Sequence, residues 1–410
     1  MKIGFFTDIY YPYLNGVSVA VDNLTKELRK KGHTVYLFAP KIEGYEDSDL
    51  NIFRLSSTKI IFSAPEIRFP VLVPNENLRK IFVLDLDLIH AHGSGIFSLL
   101  GYQVAKIKGI PFILTFHGLL TEYTHYFFKG KILKPGFVIR ASRMFGNASD
   151  GITTPSEKMK DISLSYGIKK PITVIPNVVD TSTFDISKKI FLQKRLRLPE
   201  NTPIILTVGR LGKEKNFAFI IKMFKKFAEK ESVSHLVFVG KGSEKENLIN
   251  LAGKLINKRV HFIGEIAVED MPFVYASASV FVFASTTEVH PMVVLEAAAA
   301  GLPLVLVDDP AYKNMIIDGV NGFSLPQDPE IFAEKLKQLL EDEKLAKKFG
   351  ANSKRIVRKN FNSKFLTGKM ISYYKKILNE YKQGSIRRFN KKARVLLHKT
   401  VRAMNSFFNS

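Results

Sequence analysis

Short apolar runs alternate with amphipathic stretches over most of the 410 residues, and this constrains the chain more than any other feature. A run of four to six apolar residues buried on both faces needs helices above and below it, so the pattern specifies parallel sheet wrapped in helices. The first series reads as strands at Lys2–Phe6, Thr34–Ala39, Ile52–Leu55, Leu88–Ala91, Phe112–Phe116, Gly151–Thr154 and Ile172–Ile175. Between the first two, Val17, Ala20, Val21, Leu24 and Leu28 recur with helical period, and Lys30-Lys31-Gly32-His33 closes that helix. A second series starts near residue 203, with strands at Ile204–Val208, Leu236–Val239, Val260–Ile263, Val280–Phe283 and Leu304–Val307. Its helices are expected at Asn216–Glu229, Glu244–Leu255, Pro291–Ala300 and Pro329–Leu340.

A chain of this length is too long for one ordinary core. The expected architecture is α/β, two Rossmann-like domains facing across a cleft, at residues 1–180 and 181–365. A C-terminal helix at 366–384 is expected to pack back on the first domain. Such folds bind sugar nucleotides, dinucleotides or nucleoside phosphates at the carboxyl ends of their strands, and fold alone does not choose among them.

Charge separates one further segment. The net charge is +23, and residues 351–410 carry 16 Lys or Arg against the single acid Glu380. Within 385–410, Phe389, Ala393, Leu396, Leu397, Val401, Met404 and Phe408 recur every three or four positions among Arg387, Arg388, Lys391, Lys392, Arg394, Lys399 and Arg402. This reads as a basic amphipathic helix that lies on an anionic membrane surface. A nucleic-acid partner is the alternative, but the tail lacks the interleaved aromatics of a single-strand platform. No run of about 18 apolar residues suits a membrane span. Met1 to Asp8 reads as a strand, not a secretory leader. Zero Cys excludes disulfides and thiolate metal sites.

The chemistry concentrates after the fourth strand of the second series. Glu288 stands just before a helix and Glu296 is expected two turns inside it. Eight helical residues advance about 12 Å, so the pair would hold opposite ends of one elongated ligand. Backbone N–H groups between them favour a phosphate. The alternative is a solvated helix face, but Glu296 lies among Val293, Val294, Leu295 and Ala297, where a buried acid needs a partner. After the first strand of that series, Arg210 and Lys215 would neutralise a diphosphate leaving group; a plain basic loop is the alternative. Tyr11-Pro12-Tyr13-Leu14-Asn15-Gly16-Val17 reads as a strand-to-helix turn in which Gly16 lets the backbone approach a ligand. His90 and His92 share a strand face and read as core or cleft lining, because no third metal ligand has matching spacing.

These motifs resemble family 4 retaining glycosyltransferases. The segment from Glu288 to Glu296 resembles their E-x7-E signature, and Gly209-Arg210 to Lys215 resembles their G-R-x4-K phosphate site. The resemblance implies the GT-B fold, with Glu296 on the ribose, Glu288 on the transferred sugar, and Arg210 and Lys215 on the pyrophosphate. Pro291 stands where the family often has glycine and offers no N–H, leaving Met292 and Val293 as donors. His117 matches the active-site histidine, implied to position or polarise the reacting sugar or acceptor in a same-face transfer. Gly16 matches a donor-contacting loop, and Val174-Ile175-Pro176-Asn177-Val178-Val179-Asp180 resembles the interdomain segment. Asp85-Leu86-Asp87 is not where the family binds metal, so neither metal nor cofactor is implied.

Thr115-Phe116-His117 through Tyr123-Thr124-His125-Tyr126 further resembles bacterial diacylglycerol glucosyltransferases, although His290 stands where those often have glutamine. The implied reaction moves a hexose, glucose from UDP-glucose, onto diacylglycerol, by a peripheral protein on the cytoplasmic face of the membrane. A phosphatidylinositol, polysaccharide or soluble acceptor stays open. Tyr123, Tyr126, Phe127, Lys129, Lys131, Arg140 and Arg143 are the candidate acceptor and membrane residues, because apolar groups mixed with cations suit anionic lipid. The alternative is a helix packed on the core.

Overall fold

A computed structural model describes residues 1–13, 15–59, 68–71, 76–118, 134–187, 189–229, 231 and 233–384. The first half supplies strands β1 Lys2–Thr7, β2 Thr34–Pro40, β3 Ile52–Leu55, β4 Ser57–Lys59, β5 Arg68–Pro70, β6 Leu88–His92, β7 Phe112–Thr115, β8 Gly151–Thr154 and β9 Ile172–Val174. Seven of them form a parallel sheet in the order β3-β2-β1-β6-β7-β8-β9, while β4 and β5 pair antiparallel beside it. The second half supplies β10 Ile204–Val208, β11 His235–Val239, β12 Val260–Phe262, β13 Val280–Phe283, β14 Leu304–Val307 and β15 Gly322–Leu325. These form a second parallel sheet in the order β12-β11-β10-β13-β14-β15. Every residue of β10 and β13 is buried, which explains their unbroken apolar character.

Each sheet reverses its winding once, between β1 and β6 and between β10 and β13. Loops leaving the two strands at such a point go to opposite faces and open a crevice at the carboxyl edge. The two crevices face each other, with helix Gly16–Lys30 against helix Met292–Ala299. The chain crosses between the domains twice, and the crossings touch where Val179 pairs with Asn362. After the second crossing, a helix at 363–384 runs back over the first sheet. There the Tyr374 hydroxyl bonds His90 Nδ1 at 2.7 Å and the Tyr373 hydroxyl donates to the Ile152 carbonyl at 3.1 Å.

Three details depart from the sequence expectations. Strand β15 is unannounced because Gly322 and Ser324 dilute its apolar signal, yet a Cβ at Gly322 would lie 2.0 Å from the Leu304 carbonyl oxygen, so only glycine allows the pairing. The helix expected through Leu255 ends at Ala252, where Gly253 takes φ 59° and starts a 3-10 turn. The helix expected from Pro291 starts at Met292, with Pro291 extended as its N-cap. Among the described residues, no helix is long and apolar enough to cross a membrane. The amphipathic reading of 385–410 lies outside the described residues.

Candidate active site

The two loops that flank the second crevice are knitted together. Asn216 Nδ2 donates to the Ala284 carbonyl at 3.1 Å, and the Ser285 and Thr287 hydroxyls donate to the Glu214 carbonyl at 2.9 and 3.2 Å. The Tyr312 hydroxyl donates to the Ser285 carbonyl. Gly240, at φ 136°, lets the neighbouring β11 loop close against this unit; a Cβ there would sit 2.1 Å from the Gly209 carbonyl oxygen. On this frame Lys215 Nζ donates to the Glu288 carboxylate, both side chains being largely buried. Arg210 Nη2 donates to Glu214 at 3.0 Å. Both expected phosphate cations therefore face the crevice loop and are held by carboxylates.

Glu296 also has a partner, the buried Tyr275 hydroxyl at 2.7 Å. Burial pushes the Glu296 carboxyl up, and the bond from Tyr275 opposes that rise. The spacing of the pair differs from expectation. Pro291 holds the chain extended, so Glu288 stays in the loop and Glu296 lies just over one turn into helix Met292–Ala299. The helical advance from Met292 to Glu296 is about 6 Å, not 12 Å. Met292 and Val293 open that helix, where N–H groups have no intrahelical acceptor.

The facing domain supplies a different set. Gly16 begins helix Gly16–Lys30, whose N-cap Asn15 accepts from Val17 and Ser18 N–H at 2.9 and 2.8 Å. A Cβ at Gly16 would meet nothing within 4 Å, so the space above it is open. Burial and the Asp22 carboxylate push the Tyr11 hydroxyl up, and the field of Glu296 adds to this from across the cleft. Lys158, on helix Glu157–Ser165, donates to the Thr286 carbonyl at 2.8 Å and to Asp309 at 2.6 Å. It bridges the first domain directly to the Glu288 loop.

Four histidines gather where the domains meet. His90 is committed to Tyr374 and, at 2.6 Å, to the Thr115 hydroxyl. His92 Nδ1 and His117 Nε2 are 3.0 Å apart. His92 Nε2, His117 Nδ1 and both ring nitrogens of His290 are buried without a hydrogen-bond partner among the described residues. Burial pushes His117 down to about 4, and burial plus the neighbouring His117 pushes His290 down to about 3. All are neutral imidazoles near pH 7. Among the described residues, no group of three or more His, Asp or Glu is arranged to hold a metal ion. Asp85 and Asp87 are taken by the side chain and backbone N–H of Lys2.

Of the acceptor and membrane candidates, Arg140 and Arg143 are exposed on helix Pro135–Ala148 beside Phe137 and Met144, which are 63% and 66% exposed. Tyr123, Tyr126, Phe127, Lys129 and Lys131 lie outside the described residues. Sequence reasoning missed Tyr275, Lys158 and the closeness of His290 to His117. Each meets its partner through tertiary packing, and no local signal marks them.

Comparison with known proteins gives the same picture. The family model for Glycosyltransferase Family 4 matches residues 14–183, and that for Glycosyl transferases group 1 matches 188–356. Alpha-monoglucosyldiacylglycerol synthase of Streptococcus pneumoniae is 31% identical over 331 residues, covering 78% of this chain and 74% of that protein. The chain belongs to glycosyltransferase family 4. Alpha-monoglucosyldiacylglycerol synthase of Acholeplasma laidlawii is 27% identical over 345 residues, 81% of this chain and 86% of that protein. The crystal structure of Anabaena Alr3699/HepE in complex with UDP-glucose superposes with a TM-score of 0.73 at 18% identity, covering 92% of this chain and 100% of that one. This family 4 glycosyltransferase thus has the GT-B fold, and family and fold together support a hexosyltransferase.

Proposed function

We propose that this glycosyltransferase moves glucose from UDP-glucose to diacylglycerol with retention at the anomeric carbon. The observation that carries the reading is that the loop holding the Lys215–Glu288 pair also carries His290, which burial pushes down and which lies close enough to His117 of the facing domain to be pushed down further by it. In this reading Glu296 holds the ribose hydroxyls, with Tyr275 fixing its carboxylate. Arg210, Lys215 and the first N–H groups of helix Met292–Ala299 receive the diphosphate, whose charge grows as the glycosidic bond breaks. Glu288 takes hydroxyls of the hexose, and His117 contacts the sugar from the opposite domain. These cations and N–H groups supply the neutralising charge, so no metal or other cofactor is invoked.

Diacylglycerol is favoured as acceptor because two relatives are synthases of a glucosyldiacylglycerol. The exposed Phe137 and Met144 with Arg140 and Arg143, together with the basic sequence 385–410, support a peripheral enzyme on an anionic membrane surface, the cytoplasmic leaflet. The test is glycolipid formation from labelled UDP-glucose and diacylglycerol in anionic liposomes. Transfer only to a water-soluble acceptor would overturn the lipid assignment, and release of a β-anomeric product would overturn retention from the α-linked donor.

A further inference from the structure

We propose that His92 is a positioning residue for this reaction, setting through its bond to His117 which nitrogen of His117 carries the proton. The inference rests on the reading that His117 faces the transferred sugar, and it adds a residue that the motifs left as core or cleft lining.

The geometry fixes His92 from every side. It ends β6, pairs in register with Thr115 at the end of β7, and is 3% exposed. The Phe5 ring meets it edge-on at 4.5 Å, the His90 ring lies 4.1 Å behind it, and the His117 ring stacks at 5.3 Å. His90 cannot exchange roles with it, because both His90 nitrogens are bonded to Tyr374 and Thr115. The contact from His92 Nδ1 to His117 Nε2, at 3.0 Å, is therefore a fixed bond between two imidazoles.

A neutral imidazole has one donor and one acceptor nitrogen. One proton lies in the bond, so only two arrangements exist. If His92 Nδ1–H donates, His92 Nε2 is bare and His117 carries its proton on Nδ1. If His117 Nε2–H donates, His92 Nε2 carries a proton and His117 Nδ1 is bare. The two outer nitrogens thus always play opposite roles. His92 Nε2 and His117 Nδ1 are both buried without a partner among the described residues, so without a bound ligand each arrangement leaves one orphan N–H. His117 is only half-buried whereas His92 is buried, so a ligand oxygen in the cleft can accept from His117 Nδ1 and not from His92 Nε2. A buried N–H with no acceptor is disfavoured more strongly than a bare lone pair. With the donor bound, the first arrangement follows. His117 presents Nδ1–H to the cleft and donates to an electron-rich oxygen, on the hexose or the leaving phosphate, and does not act as a base.

Three variants of the full-length enzyme test this. His92→Phe keeps the ring volume and loses the bond, while His92→Asn places an amide near the position of Nδ1 and His92→Gln places one near Nε2. Turnover of His92→Phe should fall roughly 10²-fold in kcat with little change in donor KM, as expected for a misplaced group. His92→Asn should recover most of it and His92→Gln should not. In ¹⁵N-histidine NMR of the UDP-glucose complex the wild-type His117 should carry its proton on Nδ1, and the tautomer should become mixed in His92→Phe. Wild-type turnover by His92→Phe, equal losses in the Phe and Asn variants, or a wild-type proton on His117 Nε2 would each overturn the proposal. The NMR readout needs no activity, so it decides even where a variant folds poorly. Undiminished transfer by His117→Ala would instead refute the site reading on which the proposal rests.

Discussion

Lys215 and Glu288 sit on different loops and touch, the ammonium donating to the carboxylate, so the basic loop after β10 and the first glutamate act as one unit. In the proposed function an incoming diphosphate competes with Glu288 for Lys215 and frees the carboxylate for the hexose. Glu288→Gln should therefore lose most transfer while binding UDP at least as tightly as wild type. Lys215→Ala should weaken UDP binding and lower kcat about 10²-fold, the usual cost of one charge-stabilising donor. Calorimetry with UDP and initial rates check both, and weaker UDP binding by Glu288→Gln would contradict the unit.

The bond from Tyr275 to Glu296 predicts a shift in pH dependence. It lowers the Glu296 carboxyl against the rise caused by burial. Removing it in Tyr275→Phe raises that carboxyl further. If the ribose needs the carboxylate, UDP affinity is lost as pH falls through the Glu296 pKa, and in Tyr275→Phe the loss begins at higher pH. At pH 7.5 the variant should bind UDP about tenfold more weakly, within the range for one unmade buried bond. Titrations of UDP from pH 5 to 8 give the comparison.

Lys158 ties the domains together at the edge of the Glu288 loop. Lys158→Ala should leave UDP affinity near wild type, lower kcat/KM for transfer, and widen the distribution of shapes seen by small-angle scattering. Unchanged scattering and rates would mean the bridge does not hold the cleft.

The buried histidines make stability depend on pH. Burial holds His90 at about 3, His117 at about 4 and His290 at about 3, against 6.5 for a free side chain. Below pH 6.5 the unfolded chain binds protons that the folded chain refuses, so stability is greatest above that pH and falls toward pH 4. Each histidine contributes up to about 1.4 kcal/mol per pH unit in that window. Urea midpoints between pH 7.5 and 5 should fall, and His90→Gln should fall less steeply.

Phe137 and Met144 lie seven residues apart on one exposed helix face with Arg140 and Arg143. Phe137→Glu should reduce sedimentation with anionic liposomes and leave UDP binding intact. Arg140→Glu should do the same and make residual binding less sensitive to salt, because exposed charges are screened.

Much of the architecture was legible because it rests on short-range pattern. β3, β8, β10, β13 and β14 begin and end where the sequence pattern places them, and the fully buried β13 and β14 are apolar throughout, as parallel strands covered on both faces tend to be. Arg210, Lys215 and Glu288 could be named because they stand in loops at strand or helix ends, and Glu296 because an acid among apolar residues needs a partner. The sequence alone also determined the distribution of charge, which no folding step alters.

Only the tertiary structure decided how those residues act. Pro291 shortened the helical span between the two glutamates, β15 needed a glycine beside Leu304, and Lys215 turned out to be paired with Glu288. Tyr275 meets Glu296, Lys158 meets Asp309, and His92 meets His117 across gaps of 21, 151 and 25 residues. Periodicity reports the face on which a side chain lies. The partner it meets there, and hence its proton, depends on how two sheets and a returning helix close on one another.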